Sequence, residues 1–254
     1  MDLEQKAIER MQKASEISMK LFGQPLVVTY SGGKDSDVIL QIAKNAKVPF
    51  EVLHNHTTAD APETVYHIRN VFRELELEGI KCTIDKPVYK GKRTSMWNLI
   101  PQKLMPPTRL VRYCCAVLKE KGGTGRFIAT GVRWDESVAR KNNRGTMEVI
   151  HRDREKRLIL QDDNDEARRT FETCKLKGKR VVNPIVEWKT DDVEFLFEHG
   201  ADTICNLVCG GGCMAIDSFK ETAAERCRRI ILEKLRAPYK EKEHGQTIGA
   251  DTEA

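Results

Sequence analysis

Residues 27–37 read VVTYSGGKDSD, and this stretch decides the fold that the sequence predicts. The apolar, β-branched run that begins at Leu26 is typical of a buried strand. Glycines and polar residues at 31–36 then turn the chain, and apolar residues recur at helical spacing over 35–44. Strand, glycine turn and helix therefore follow one another in the order that a phosphate-binding loop needs.

The loop residues each have a property that suits an anion. Gly32 and Gly33 let the backbone approach a phosphate closely, and the following helix adds its positive N-terminal end. Lys34 adds a full charge, while Ser31 and Ser36 add hydroxyl donors. The loop is too short for the pattern G-x-x-x-x-G-K-[ST], so it is not a Walker A site. The alternative is an ordinary turn between a strand and a helix.

Length and composition limit the class of protein. The chain has 254 residues, of which 40% are hydrophobic and 32% charged, as in one large α/β domain with a small appendage. We expect a cytoplasmic protein, because neither a run of 18 apolar residues nor a secretory leader is apparent. The net charge of +5 suits a small polyanion and does not exclude nucleic acid. Eight cysteines in such a chain indicate metal binding or catalysis rather than disulfides.

The order of predicted elements indicates an α/β fold with a doubly wound parallel sheet. An amphipathic helix over 2–22 precedes the first strand, and further strands are predicted at 50–54, 81–85 and 127–132 with a helix starting at Pro62. We assign 1–200 to a nucleotide-binding domain and 201–254 to a small cysteine-bearing region with a helix and a polar tail. Charged residues dominate 141–180, which predicts a solvated insertion with a hairpin at 147–150 and 158–160.

The sequence SGGKDS at 31–36 resembles the pyrophosphate loop of the PP-loop ATP-pyrophosphatase superfamily, whose fold is that of the adenine nucleotide α-hydrolases. From roughly residue 25 to residue 216, the chain resembles the phosphoadenosine-phosphosulfate reductase family and its DNA-phosphorothioation sulfur-transfer relatives. GVRWDESVAR at 131–140 matches the family pattern Gly-x-Arg-x-x-Glu-Ser-x-x-Arg at every fixed position. The resemblance implies ATP with Mg²⁺, cleaved at the α-phosphate.

The resemblance also implies a set of site residues. Two arginines at the turn after a strand could bind an oxyanion through their planar forks, the alternative being a surface arginine cluster. Near Thr58 and Asp60 the family has an Asp-Thr-Gly turn followed by Pro-Glu-Thr, of which this chain keeps only the second half, at 62–64. The implied catalytic residues are Lys34, Asp35, Arg133 and Arg140. The implied nucleotide contacts are Ser31, Gly32, Gly33, Lys34, Asp35, Ser36, Thr58, Asp60, Gly131, Arg133, Glu136 and Ser137.

A basic, proline-containing stretch at 86–108 has two interpretations, a mobile flap over the site or a solvated loop with Trp97 in the core. It is followed by RLVRYCCAVLKEK at 109–121, where Cys114 and Cys115 open a predicted helix beside Arg112. Cysteines in that position have lowered pKa values and are good thiolate ligands.

Three further cysteines, Cys205, Cys209 and Cys213, lie in TICNLVCGGGCMAID at 203–217. With Cys114, or Cys115 in its place, they would supply the four thiolates of a 4Fe–4S cluster. The cluster-bearing branch of the resembled family combines a Cys-Cys pair with such a distant group. That branch has C-x-x-C where this chain has C-x-x-x-C twice, so zinc bound by the same thiolates is the alternative.

Three functional hypotheses follow. The first is an enzyme that transfers an adenylyl group from ATP to an unknown acceptor and releases pyrophosphate in sulfur transfer, with a sulfur donor or reductant protein as partner. The second is a sulfonucleotide reductase that produces sulfite, although the family's C-terminal Glu-Cys-Gly-Leu-His motif is missing and Cys227 is a poor substitute. The third is a non-catalytic nucleotide-sensing subunit. We expect a homo-oligomer without a membrane partner.

Overall fold

The computed structural model describes residues 3–108, 110–120, 122–151, 157–176 and 178–199. The chain begins with a long amphipathic helix, as predicted, and then alternates strands and helices. The helices are α1 (Leu3–Phe22), α2 (Lys34–Asn45), α3 (Pro62–Leu77), α4 (Met96–Lys103), α5 (Val138–Asn143), α6 (Asp165–Thr173) and α7 (Thr190–His199). The strands are β1 (Leu26–Thr29), β2 (Phe50–Asn55), β3 (Cys82–Asp85), β4 (Val88–Tyr89), β5 (Lys92–Arg93), β6 (Phe127–Ala129), β7 (Met147–Ile150), β8 (Leu158–Leu160) and β9 (Lys179–Val182).

The main sheet has the strand order β3-β2-β1-β6-β9-β7-β8. Its first five strands are parallel, and β7 and β8 pair antiparallel at one end. The chain moves outward from β1 to β3 and then returns to the other side of β1 with β6, as in a doubly wound sheet. Ligands bind at such a reversal, beyond the carboxyl ends of the strands, and the turns after β1 and β6 both lie there.

One face of the sheet is covered by α1, α2 and α3. Leu26 and Val28 of β1 point toward α1 and α2, where Ile39 and Ile42 are fully buried. Farther along the same face, Val52 of β2 packs with the apolar side of α3, which includes Ile68, Val71, Phe72 and Leu75. Alternate strand residues on one side and helix residues at intervals of three or four on the other therefore form the main core.

The segment between β3 and β6 crosses the opposite face, where Val27, Leu53, Ile128 and Val181 are buried. Gly123 lies against this face, since a methyl group there would come within 2.8 Å of Ile128 Cγ2. The segment also forms a small apolar cluster of its own around Leu99, Val117 and Leu118. Trp97 does not join it, because its side chain is 71% exposed. Of the two sequence interpretations, the one with Trp97 in the core is therefore wrong.

The charged segment 141–180 contains the predicted hairpin, formed by β7 and β8. We expected a solvated insertion, but Met147, Val149 and Phe171 are almost fully buried and β7 pairs with β9 in the main sheet. Apolar residues of β7, β8 and α6 pack on the main core. The prediction missed this packing because charged residues dominate the composition of the segment. No helix in the described ranges is long and apolar enough to cross a membrane.

Candidate functional site

The loop between β1 and α2 is fixed by its glycines and by Ser36. Gly32 has a φ of +76° and lies so close to α3 that a methyl group would come within 2.9 Å of Ile68 Cγ1. Gly33 is the N-cap of α2, and Ser36 Oγ donates to its carbonyl at 2.6 Å and accepts from its N–H at 3.1 Å. The N–H of Ser36 donates to the carbonyl of Gly33 at 2.8 Å, which leaves the N–H groups of Lys34 and Asp35 as the donors that a helix N-terminus offers to a ligand. An anion in the loop would meet these donors and the positive end of the helix.

Lys34, the first residue of α2, already has an anionic partner. Its Nζ lies 2.6 Å from Glu194 Oε1 of α7, and both side chains are partly exposed to solvent. The carboxylate is thus the counter-ion of Lys34 when no ligand is bound. A phosphate that approached Lys34 would compete with Glu194 for the same ammonium group.

Arg133 lies opposite the loop, at the turn that follows β6. Its Nε is 2.9 Å from Asp35 Oδ1, an ion contact in which the N–H is not aligned as a hydrogen bond. One guanidinium N–H donates to Thr190 Oγ1 of α7 at 3.4 Å. Only 4% of the side chain is exposed. The first turn of α2, the turn after β6 and the start of α7 therefore meet at this guanidinium.

The two turns also touch through their backbones. A methyl group on Gly131 would come within 3.0 Å of the carbonyl oxygen of Asp35. Glycine is therefore the residue that lets the turn after β6 approach the start of α2 this closely. This contact explains physically why the pattern at 131–140 begins with glycine.

The rest of the predicted arginine motif surrounds the same region. The guanidinium of Arg140 pairs with Glu136, whose carboxylate also accepts from the N–H of Arg133 at 3.4 Å. Ser137 Oγ caps α5 by accepting from the N–H of Arg140 at 3.2 Å. Partial burial lowers the pKa of Arg140, and the nearby charges of Arg144, Arg112 and Arg133 lower it further. Several arginines thus lie close together here, and Arg133, Arg140 and Arg144 are each paired with a carboxylate.

Thr58 and Asp60 stabilise the turn after β2. Thr58 has a φ of +64°, and its Oγ1 accepts from the N–H of Met96 at 2.8 Å, which connects the turn to α4. Asp60 Oδ2 accepts from the N–H of Thr57 at 3.3 Å. Both side chains have local partners in this structure, and their contact with a nucleotide stays a prediction.

Directly behind the loop lies a buried polar network that the sequence analysis missed. Tyr30 Oη donates to Asp37 Oδ1 at 2.6 Å and lies 3.0 Å from His67 Nε2 of α3. Burial raises the pKa of Asp37 to about 7. Burial also lowers the pKa of His54, whose Nδ1 is 2.9 Å from the carbonyl oxygen of Tyr30. One signal in the sequence was available: Asp37 is a carboxylate at a position on the buried side of α2, where an apolar residue is usual.

A second missed network supports the turn after β6. Glu148 of β7 is almost fully buried, and its carboxylate accepts from Asn183 Nδ2 at 2.7 Å and from the N–H of Gly145 at 3.0 Å. Arg144 balances its charge at 2.8 Å. Asn183 Oδ1 in turn accepts from Thr130 Oγ1, directly before Gly131. The polar residues of three segments thus fix the position of this turn.

Of the predicted metal ligands, Cys114 lies in the described part of the chain, and so does Cys115, its alternative. Cys114 packs beside the apolar cluster of Leu99, Val117 and Leu118, directly before a π-helical turn over Cys115–Lys119. Cys115 Sγ accepts from the guanidinium of Arg112 at 3.3 Å. Cys205, Cys209 and Cys213 lie outside the described residues. Within the described ranges, no three His, Cys, Asp or Glu side chains form a group that could hold a metal ion.

A mostly parallel sheet whose first turn is a glycine loop at a helix N-terminus, with a buried arginine opposite, is an α/β arrangement suited to binding a phosphate group. The sequence profile of the phosphoadenosine phosphosulfate reductase domain matches residues 25–211. The chain therefore belongs to this family.

Solved structures with a similar fold come from several enzymes. Phosphoadenylyl-sulfate (PAPS) reductase from Candida auris, in a phosphate complex, has 17% identity and a TM-score of 0.42, with 76% of this chain and 85% of that chain covered. NH3-dependent NAD synthetase from Campylobacter jejuni, in complex with the nitrate ion, has 15% identity and a TM-score of 0.43, with 96% and 86% covered. NMN synthetase from Francisella tularensis has 11% identity and a TM-score of 0.45 over the full length of both chains. A comparison with curated proteins gave no match. The family assignment rests on the profile.

Proposed function

We propose that this protein binds ATP with Mg²⁺ and cleaves it between the α- and β-phosphates. An acceptor nucleophile would attack the α-phosphorus, the bond to the bridging oxygen would break, and pyrophosphate would leave with the electron pair. The product would be an adenylylated acceptor in a sulfur-transfer pathway. The observation that carries the proposal is the meeting of the phosphate loop with the buried guanidinium of Arg133, 2.9 Å from Asp35.

The residues of the site divide into two groups around the bond that breaks. Gly32, Gly33, Ser31, Ser36 and Lys34 would hold the departing phosphates through the N-terminus of α2. Arg133 and Arg140 would stabilise the charge that develops at the α-phosphate, a role that depends on donors already in place before reaction. Arg133 meets this condition best, because three segments contact its guanidinium.

A sulfonucleotide reductase is the second candidate, and the matching family profile favours it. In that reaction a cysteine thiolate attacks the sulfur of the bound sulfonucleotide, and the nucleotide leaves with the electrons of the broken S–O bond. A thiol reductant then attacks the cysteine sulfur of the resulting S-sulfocysteine and releases sulfite. Residues 1–254 contain no Glu-Cys-Gly-Leu-His motif, and in this candidate Cys227 would take the place of its cysteine. Cys227, the cysteine nearest the C-terminus, lies outside the described residues.

The experiment is a comparison of two products from the same protein. Purified protein is incubated with ATP, Mg²⁺ and candidate sulfur-accepting substrates, and pyrophosphate is measured; in parallel, sulfite is measured with a sulfonucleotide and thioredoxin. We expect pyrophosphate, and we expect Lys34→Ala to bind ATP more weakly and release less pyrophosphate, while Lys44→Ala, at the other end of α2, behaves like the wild type. A charge-assisted phosphate contact is worth about 1.5–3 kcal/mol, or roughly 10- to 150-fold in affinity.

Two other outcomes would reject this proposal. Sulfite production that disappears in Cys227→Ser would establish the reductase. Tight ATP binding without either product, across the tested acceptors, would support the nucleotide-sensing subunit.

A further inference from the structure

The net positive charge of this protein comes from one segment. Residues 86–119, here called the basic arm, contain eight lysines and arginines and no aspartate or glutamate. The whole chain has 43 basic and 38 acidic residues, so the remainder has 35 basic against 38 acidic residues and is net negative. A single-sign segment within an otherwise acidic chain is a typical electrostatic footprint of a polyanion site.

The basic arm is a folded unit rather than a loose loop. Strands β4 and β5 form a hairpin with Val88 opposite Arg93 and Tyr89 opposite Lys92. Tyr89, Met96 and Tyr113 pack on the cluster of Leu99, Val117 and Leu118. The charges are therefore presented on a fixed surface, on which the side chains of Lys86, Lys90, Lys92, Arg93 and Arg112 are exposed.

Exposed aromatic surface lies among these charges. Trp97, in the first turn of α4, is 71% exposed. The ammonium groups of Lys90 and Lys103 lie 5.6 and 4.9 Å from the ring centre of Tyr89. Basic groups that follow a backbone, combined with an aromatic ring on which a base can stack, are the two elements with which proteins bind single strands.

The basic arm adjoins the proposed nucleotide site. The N–H of Met96, at the start of α4, donates to Thr58 Oγ1 in the turn after β2. At the other end of the arm, the charge of Arg112 is close enough to lower the pKa of Arg140. A chain of phosphates along the arm would therefore lead to the carboxyl ends of the strands.

We propose that the basic arm binds single-stranded nucleic acid and presents it to the nucleotide site. The presentation step rests on the proposed function, whereas the binding does not. Anionic lipid is the other polyanion that basic and apolar groups could meet. The exposed ring of Trp97 among the charges favours a strand of nucleotides, whose bases can stack on it.

The test measures binding of a fluorescein-labelled 20-nucleotide oligothymidylate by anisotropy at several salt concentrations, without ATP. Lys92→Glu/Arg93→Glu in the arm is compared with Arg69→Glu/Arg73→Glu on α3, which packs on the other face of the sheet. Both variants change the charge equally and replace exposed residues. We expect the arm variant to bind at least tenfold more weakly and with a smaller salt dependence, and the α3 variant to bind within twofold of the wild type.

A third variant, Trp97→Ala, separates stacking from charge. We expect it to bind about tenfold more weakly with an unchanged salt dependence, because stacking releases no counter-ions. Equal losses in the arm and α3 variants would overturn the proposal, and so would binding of anionic phosphatidylserine vesicles without binding of the oligonucleotide. Oligonucleotide binding that depends on the arm would stand even if ATP were never cleaved, so the two proposals fail separately.

Discussion

Lys34 faces a carboxylate where the proposed function requires a phosphate. Glu194 holds its ammonium group at 2.6 Å, and a partly exposed pair of this kind is worth about 0.2–1 kcal/mol. The nucleotide has to displace Glu194 before it gains the contact with Lys34. Glu194 therefore weakens nucleotide binding by the strength of that pair.

We expect Glu194→Gln to bind ATP up to about fivefold more tightly than the wild type, since the displaced pair is no longer ionic. Calorimetric titration with ATP and Mg²⁺ measures the change. Asp191→Asn, on the same helix, is the matched control and removes the same charge. An equal gain in both variants would assign the effect to the general charge of α7 rather than to Lys34.

Asp37 predicts a pH dependence of stability. Its pKa of about 7 lies above its usual value of 3.8, so the folded protein holds a proton that the unfolded chain releases between these values. Its contribution to stability is complete below about pH 4 and is lost as the pH rises through about 7. Burial lowers the pKa of His54 and His67 below the usual 6.5. The stability that these two neutral side chains contribute is therefore lost as the pH falls below about 6.5, the reverse of the effect of Asp37.

The Asp37→Asn variant isolates this contribution, because the amide oxygen can still accept from Tyr30 Oη. Between about pH 5 and about pH 7.5 the wild type loses the stability that the protonated Asp37 contributes, and the variant does not. We therefore expect the unfolding free energy of the variant to rise relative to that of the wild type over this range. Urea unfolding at the two pH values provides the measurement. A difference that stays constant with pH would mean that Asp37 is already ionised over this range.

At the scale of elements, the sequence was sufficient to predict the structure where the contacts are between residues close in sequence. The loop at 31–36 and its helix are formed by neighbours in sequence, so their position between β1 and α2 was predictable from spacing alone. The pattern at 131–140 was recognisable as a motif, but its reason, the contact of Gly131 with Asp35, joins residues nearly one hundred positions apart. The buried Glu148 could not be anticipated, because its partner Asn183 follows a different strand, β9, and is distant in sequence.

The contact between the two turns gives a prediction for Gly131→Ala. The added methyl group would lie 3.0 Å from the carbonyl oxygen of Asp35, closer than is usual, so we expect the turn that carries Arg133 and the start of α2 to shift slightly apart. Overpacking of this kind costs about 1–3 kcal/mol, and the Arg133–Asp35 pair would lengthen. We expect lower stability in urea unfolding and a loss of ATP affinity in the same variant. Unchanged ATP affinity would show that the position of Arg133 is not needed for binding.

At the scale of the whole molecule, long-range charge pairs fix the layers. Only 3% of the Arg10 side chain of α1 is exposed. Its guanidinium lies 2.6 Å from the carboxylate of Asp163 and 3.0 Å from that of Glu187. It also donates to the carbonyl oxygen of Pro184 at 2.8 Å. The amphipathic pattern of α1 indicated a helix that packs on the sheet, but not that one arginine on its buried side joins it to two distant loops.

The predicted metal site also joins distant parts of the chain, and it stays a prediction. Cys114, or Cys115 beside it, would combine with Cys205, Cys209 and Cys213 to bind a 4Fe–4S cluster or zinc through four thiolates. Unpaired thiolates would repel one another, so loss of one ligand should lower metal content and stability together. We expect Cys209→Ser and Cys213→Ser, purified without oxygen, to lose most of their iron or zinc.

Cys82→Ser and Cys174→Ser are the matched controls for this measurement. Burial raises the pKa of Cys82 to about 12, which keeps it a thiol, and Cys174 packs against the main core. We expect both controls to keep the metal content of the wild type. Full metal retention in Cys209→Ser and Cys213→Ser would contradict the cluster and remove its part in sulfur transfer. The adenylyl-transfer proposal would then depend on the phosphate loop and Arg133 alone.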